Sequence, residues 1–508
     1  MTVYPLPEDE VQNRIVRRQI ERIIDEGTGD TRDVIVRMAS TASQKRTLVD
    51  LASAVVQDRN MALSARDILP ITFEQQQRYA QAQRPRHRSS ETDSSLATQV
   101  ATRQVRVGMR ALRREADASL RPLIRFAERH NIDETTMTSF WTSKAMRMQI
   151  KKEELAQLRE LPALRDVYPN RGLRVPRLVQ PKHIPTAVEE IGAASWGIHR
   201  IGALAAWGAY GVRGTGVTIG ILDTGIDPDH PDLKGKITAW AEFDADGREV
   251  SGSTPHDTDK HGTHCGGTLV GGNASGQWIG VAPDAKLAAT LVLDGAKGGT
   301  DAQVLAGLDW LVNQKVDVIS MSLGGLVLGP EMPNTYTEAI LTCLRAGIPV
   351  VTAIGNEGSQ TTGSPGNDLF AYAVGATDIR ERTAGFSGGR TQIIHASSFI
   401  PPEHLPLPYS KPDVSAPGVA IKSSVPNGQW EVFNGTSMAT PHVAGAIALL
   451  LSATDLRRKV PAANRAFVIQ DLISGSAEEY GESGQDHRFG FGRIDILRAI
   501  GFAKSLGY

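Results

Sequence analysis

Four kinds of residue in this chain could share one reaction. Ser437 follows the turn Asn434-Gly435-Thr436 and opens an apolar helical stretch through Ala446, Ala448, Leu449 and Leu451. A serine there sits near the positive end of the helix dipole, beside unpaired backbone N–H groups. That suits a nucleophile whose attack creates an oxyanion nearby; it equally suits a plain helix cap. A hydroxyl is a poor nucleophile at its own pKa and needs an adjacent base. Imidazole is the natural base near neutral pH, and a carboxylate is needed to hold its tautomer. A neutral amide can stabilise the oxyanion without competing for the proton. The chain offers Asp223 in Leu222-Asp223-Thr224-Gly225, a histidine pair in His261-Gly262-Thr263-His264, and Asn356 in Gly355-Asn356-Glu357-Gly358. Singly, each has an ordinary reading. Asp and Asn-Glu-Gly are common in turns, and an i, i+3 histidine pair without nearby carboxylates is a weak zinc signal.

The elements that must position these residues change that balance. From Gly214 onward, apolar strands alternate with helices. Strands are expected at 217–222, 286–293, 316–321, 348–353 and 371–374, with helices at 301–314 and 334–346. That alternation predicts an α/β fold with a mostly parallel sheet covered on both faces. Ligands of such sheets gather beyond the carboxyl ends of the strands. Asp223, Ser322 and Asn356 all follow strands, and the histidine motif is expected to open a helix.

The motifs Asp-Thr-Gly, His-Gly-Thr-His and Gly-Thr-Ser-Met-Ala-Thr-Pro-His, in that order, resemble the subtilisin-like serine proteases over roughly residues 192–500. The resemblance implies Asp223 as orienting acid, His261 as general base, Ser437 as nucleophile and Asn356 as oxyanion donor. It makes His264 structural. It further implies that Ser322, Leu323 and Gly324 pair with substrate backbone, that Ala353 and Gly355 wall the S1 pocket, and that Gly363 lies at its floor. A glycine floor implies a preference for large apolar P1 residues. Cys265 resembles the thiol beneath the histidine in one branch of the family, which implies inhibition by mercurials. No cofactor is required. Calcium enters only as a structural ion at Asp232, which matches a family ligand, although the loop Gly272-Asn273-Ala274-Ser275-Gly276 has alanine where a side-chain ligand belongs. Residues 391–410 form a longer, more proline-rich connection than the family's.

Upstream, residues 8–26 read as an amphipathic helix, 32–40 as a strand and 41–58 as a helix. Residues 75–95 read as a linker, 96–130 as a long helix, 137–150 as two strands, 151–161 as a short helix and 164–168 as a closing strand. The β-α-β-β-α-β order is ferredoxin-like, with a helical insertion near 60–135. This part resembles the family's propeptide, a folding chaperone that then inhibits. The expected division is a propeptide-like domain at 1–168, a linker at 169–191 and a catalytic domain at 192–508, with processing within 169–192. The Arg-rich face of the helix at 96–130 reads as a solvated surface or as a docking face for an acidic partner.

Composition narrows the partners. A net charge of −1 over 508 residues argues against nucleic acid or an anionic membrane. Two cysteines make no disulfide framework. No basic segment followed by an apolar one opens the chain, and no stretch reaches the ~18 uncharged apolar residues of a membrane span. A cytoplasmically made, monomeric enzyme acting on polypeptides is expected, with export by another route left open. The expectation is thus an autoinhibited serine endopeptidase working through an acyl-enzyme. The alternatives are a processing or regulatory protease of narrow substrate, or a partner-binding scaffold using the N-terminal helices.

Overall fold

A computed structural model describes residues 8–39, 91–175, 179, 193–327, 335–395, 397, 400 and 404–508. The helix expected at 41–58 and most of the linker at 75–95 lie outside them. The N-terminal elements are α1 (Glu8–Glu26), β1 (Thr31–Met38), α2 (Glu91–Arg129), β2 (Thr138–Phe140), β3 (Ala145–Lys151), α3 (Lys152–Gln157) and β4 (Leu164–Pro169). Their strands lie in the order β2-β3-β1-β4, antiparallel throughout, which is the ferredoxin-like order. The period-2 pattern assigns the faces. Val34, Val36, Met38, Met146, Met148 and Ile150 share a core with Ile20 of α1, while Ile35 and Ala145 join a core of the following α/β unit. The long helix departs from its reading as an insertion. Leu120, Leu123, Phe126 and Ala127 of α2 are buried in the N-terminal core, so its C-terminal part belongs to this fold.

The α/β unit opens with β5 (Gly172–Leu173), β6 (Thr218–Asp223), β7 (Ile237–Glu242), α4 (His261–Val270), β8 (Lys286–Leu291), β9 (Leu293–Asp294) and β10 (Gly298–Thr300). It continues with α5 (Asp301–Gln314), β11 (Val318–Met321), β12 (Gly325–Val327), α6 (Thr337–Arg345), β13 (Val350–Ala353), β14 (Thr362–Ser364) and β15 (Tyr372–Thr377). It ends with β16 (Arg390–Ile394), β17 (Leu407–Lys411), β18 (Val414–Pro417), β19 (Ile421–Val425), β20 (Gln429–Phe433) and α7 (Thr436–Ala453), followed by helices Ala462–Gly475 and Ile496–Ser505. Seven strands form one sheet in the order β18-β15-β13-β11-β6-β8-β7, every neighbour parallel. On one face, Cys265 and Leu269 of α4 and the apolar run of α7 pack with Ile219 and Ile221. On the other, α5 and α6 pack with Leu222, Ile319 and Met321. This is a three-layer α/β fold. The proline-rich connection at 391–410 begins and ends in two strands, β16 and β17, that pair antiparallel.

Among the described residues one helix, Thr436–Ala453, is long and apolar enough to cross a membrane. It is instead the central helix, buried from Thr436 to Leu451.

The outer face of the N-terminal sheet meets α5 and α6 through charges as well as apolar contacts. Arg37 pairs with Asp166 and reaches Glu338 Oε2 at 3.3 Å, and Lys144 Nζ lies 2.7 Å from Glu338 Oε1. Asp309 accepts the Trp141 and Thr142 backbone N–H groups at 2.8 and 3.0 Å, and also the Thr142 hydroxyl. Arg147 joins Asp33 of its own sheet to Asp246 of the α/β unit, at 2.7 Å each.

Candidate active site

Three neighbouring parallel strands end side by side. β6 ends at Asp223, β11 runs into Ser322, and β13 runs into Gly355 and Asn356. The helices supply the rest: His261 is the first residue of α4, and Ser437 the second of α7. Asp223, His261 and Ser437 are all buried.

His261 Nδ1 lies 2.7 Å from Asp223 Oδ1, which also accepts the Thr224 N–H at 2.8 Å. Burial favours a neutral imidazole. The Asp223 carboxylate and the Cys265 sulfur outweigh it and raise the His261 pKa well above 6.5. His261 Nε2 has no hydrogen-bond partner among the described residues, and Ser437 Oγ turns to Ser322 O at 3.4 Å. A hydroxyl rotation would be needed to engage the imidazole, as is common before substrate binds. Asn356 Oδ1 accepts Thr436 N and Thr436 Oγ1 at 2.8 and 2.9 Å, which fixes the amide and leaves Nδ2 as the donor. The Ser437 N–H lies in the first turn of α7, where backbone donors lack intrahelical acceptors.

Pro441 explains a contact that the motifs alone did not reveal. Proline has no N–H, so the carbonyl four residues earlier, that of Ser437, loses its helix donor. Ser322 Oγ donates to that carbonyl at 2.8 Å and Cys265 Sγ at 3.5 Å. Cys265 Sγ is also 3.8 Å from His261 Nδ1. The thiol thus touches both the histidine ring and the serine backbone. Asp257, also missed in the sequence, clamps the loop after Asp223 to the start of α4. It accepts Thr224 Oγ1 at 2.7 Å, Asp259 N at 3.0 Å, and Thr263 N and Oγ1 at 2.8 and 2.5 Å.

His264 is kept apart from the chemistry. Its Nε2 meets Ile421 O and Glu431 O, its ring stacks on Phe433, and burial lowers its pKa to about 3. It ties α4 to the β19–β20 hairpin.

The residues expected to bind substrate lie close together. Ser322, Leu323 and Gly324 link β11 to β12, which pairs antiparallel with β14. Gly363 sits in β14 and donates its N–H to Ile354 O at 2.8 Å, just beyond Ala353 and beside Gly355. An added Cβ at Gly363 would find nothing nearer than 3.5 Å. The N-terminal segment reaches the same region. β5 pairs antiparallel with β10, setting Leu173 opposite Gly299. Val179 donates its N–H to Asn434 O at 3.2 Å and accepts Asn434 Nδ2 at 3.0 Å, three residues before Ser437.

Asp232 does not fit a calcium site. Its Oδ1 accepts Ala274 N at 2.6 Å and its Oδ2 accepts Trp430 Nε1 at 2.7 Å. Both oxygens face N–H donors, which a cation would have to displace. The alanine at 274 thus contributes a backbone N–H where a ligand oxygen was sought.

The Subtilase family model matches residues 214–492, more than half of the chain. Subtilisin E of Bacillus subtilis (strain 168) is 35% identical over 326 residues, 63% of this chain and 74% of that protein. Subtilisin of Bacillus pumilus is 35% identical over 294 residues, covering 57% and 92%. The intracellular serine protease of Paenibacillus polymyxa is 36% identical over 267 residues, covering 52% and 74%. With the strand-end geometry, these matches establish that the chain belongs to the subtilase family of serine peptidases.

Proposed function

We propose that this peptidase is an endopeptidase whose N-terminal part holds it inactive until it is cut within 169–192. Ser437 Oγ attacks the scissile carbonyl as its proton passes to His261 Nε2, with Asp223 holding the imidazole through Nδ1. Asn356 Nδ2 and the Ser437 N–H stabilise the oxyanion. His261 returns the proton to the leaving amine, and water then hydrolyses the acyl-enzyme. The observation that carries this reading is the buried 2.7 Å Asp223–His261 bond at the strand ends, beside a serine opening a helix. Inhibition by the N-terminal part is supported by β5 on β10 and by Val179 on Asn434, with Ser437 only 2% exposed.

A floor at Gly363 that carries no side chain favours large apolar P1 side chains. A P1 scan in which Asp, Arg or Gly outperforms Phe, Tyr, Leu and Met would refute that preference.

A fluorophosphonate probe tests the main reading. Ser437 should label slowly in the intact chain and rapidly once the N-terminal part has been cut away. Equal labelling before and after the cut would sink autoinhibition; no labelling after it would sink the catalytic assignment.

A further inference from the structure

The segment that leads into β5 brings several side chains to the α/β unit, and one of them is an arginine. Leu173 is buried and joins the apolar core that contains Leu293 and Leu323. Arg171, two residues earlier and so on the same side of an extended strand, meets Asp301. Its Nε lies 2.8 Å from Asp301 Oδ2 and its Nη2 3.3 Å from Oδ1, a two-pronged grip on one carboxylate. The backbones are joined as well: Asp301 N donates to Arg171 O at 3.1 Å, and Arg171 N donates to Asp301 Oδ2 at 3.3 Å.

The pocket on the α/β side is built for this. Asp301 is the first residue of α5, and its side chain has no exposure beneath Arg171. Tyr336 Oη donates to Oδ1 at 2.5 Å, and Thr335 Oγ1 lies 3.4 Å from Arg171 Nη2. Once the segment departs, Asp301 keeps the tyrosine hydroxyl but loses its cation. A carboxylate so placed draws a planar guanidinium, which satisfies both oxygens at once.

We propose that Asp301 and Tyr336 form a specificity site that selects polypeptides carrying arginine two residues before the residue seated in the Leu173 pocket. This rests on the inhibition proposed above, with β5 taken to lie on β10 as a substrate strand would. The site takes a guanidinium and no metal or cofactor. Its strand-pairing edge is β10, where Gly298 has φ +78° and an added Cβ would meet Leu173 O at 2.0 Å. Only glycine allows the incoming backbone that close.

The test uses the full chain after it has become active by its own processing, with two peptides differing at one position. Both carry leucine, then phenylalanine three residues later; one has arginine and the other glutamine two residues before the leucine. Wild-type enzyme should cleave the arginine peptide with roughly tenfold or greater advantage in kcat/KM, the scale of a charge-assisted double hydrogen bond. Asp301→Asn should bring that ratio close to one, and Tyr336→Phe should reduce it. Equal cleavage of both peptides by wild type overturns the arginine site and leaves the endopeptidase reading standing. Failure to cleave either peptide, with no fluorophosphonate labelling of Ser437, overturns both. The wild-type comparison decides the matter even if Asp301→Asn does not fold.

Discussion

At the scale of single residues, the proposed mechanism makes the rate depend on the protonation of His261. Only the neutral ring can accept the Ser437 proton, and the Asp223 carboxylate raises the ring's pKa above 6.5. Activity should therefore climb with pH, with the rising limb of kcat/KM centred above pH 6.5. A limb centred below that value would contradict the assignment. Replacing Asp223 with Asn should lower the limb and cost about 10⁴-fold in kcat, as in serine-protease triads. Asn356→Ala should cost about 10²- to 10³-fold in kcat with little change in KM, the magnitude known for this donor in subtilisin. Cys265 gives a third handle. A mercury atom on its sulfur would intrude between the His261 ring and the Ser437 carbonyl. Mercurials should inhibit the wild type and spare Cys265→Ala, whereas inhibition of both would point elsewhere. The candidate reactive groups were legible because their motifs coincide with strand ends, for Asp223 and Asn356, or with helix starts, for His261 and Ser437. The Asp257 clamp on Thr224 and the bond from the Ser322 hydroxyl to Ser437 O were not, since those partners lie 33 and 115 positions away. Pro441 was visible, four residues after Ser437, but its effect on that carbonyl needed the three-dimensional neighbours.

At the scale of elements, the edge strand β10 is the part most sensitive to a single methyl group. Gly298→Ala would place Cβ against Leu173 O and force a strained backbone. The intact chain should then label faster with a fluorophosphonate, while peptides that use the same edge should show a raised KM. A variant with unchanged labelling and unchanged KM would mean that β10 holds neither. Sequence patterning anticipated most strands of both sheets, because continuous apolar runs mark buried parallel strands and alternation marks half-covered ones. It misjudged α2. That helix is highly charged, and Leu120, Leu123 and Phe126 form a narrow stripe that only the sheet beneath identifies as core. Likewise, the prolines near 400 hid a hairpin whose strands lie on either side of them.

At the scale of the whole molecule, the N-terminal sheet meets helices α5 and α6 across buried charge. Glu338 faces both Arg37 and Lys144, so Glu338→Ala would remove the buried carboxylate they share and should loosen the docking. The variant should show earlier spontaneous activity of the full-length chain. A lag identical to wild type would place the restraint elsewhere. That the N-terminal sheet docks through charge could not be read from composition, since its arginines look like any solvated set until their partners on α5 and α6 are known. A further consequence follows from β5 and Val179 belonging to the same chain as Ser437. In the proposed zymogen the segment is tethered while the chain is whole, at an effective concentration independent of how much protein is present. After one cut it becomes a separate ligand obeying mass action. Dilution alone would then strip it away, and each freed enzyme could cut its neighbours. Activation should accelerate as it proceeds, and a cut enzyme should gain activity on dilution, whereas an uncut one should not.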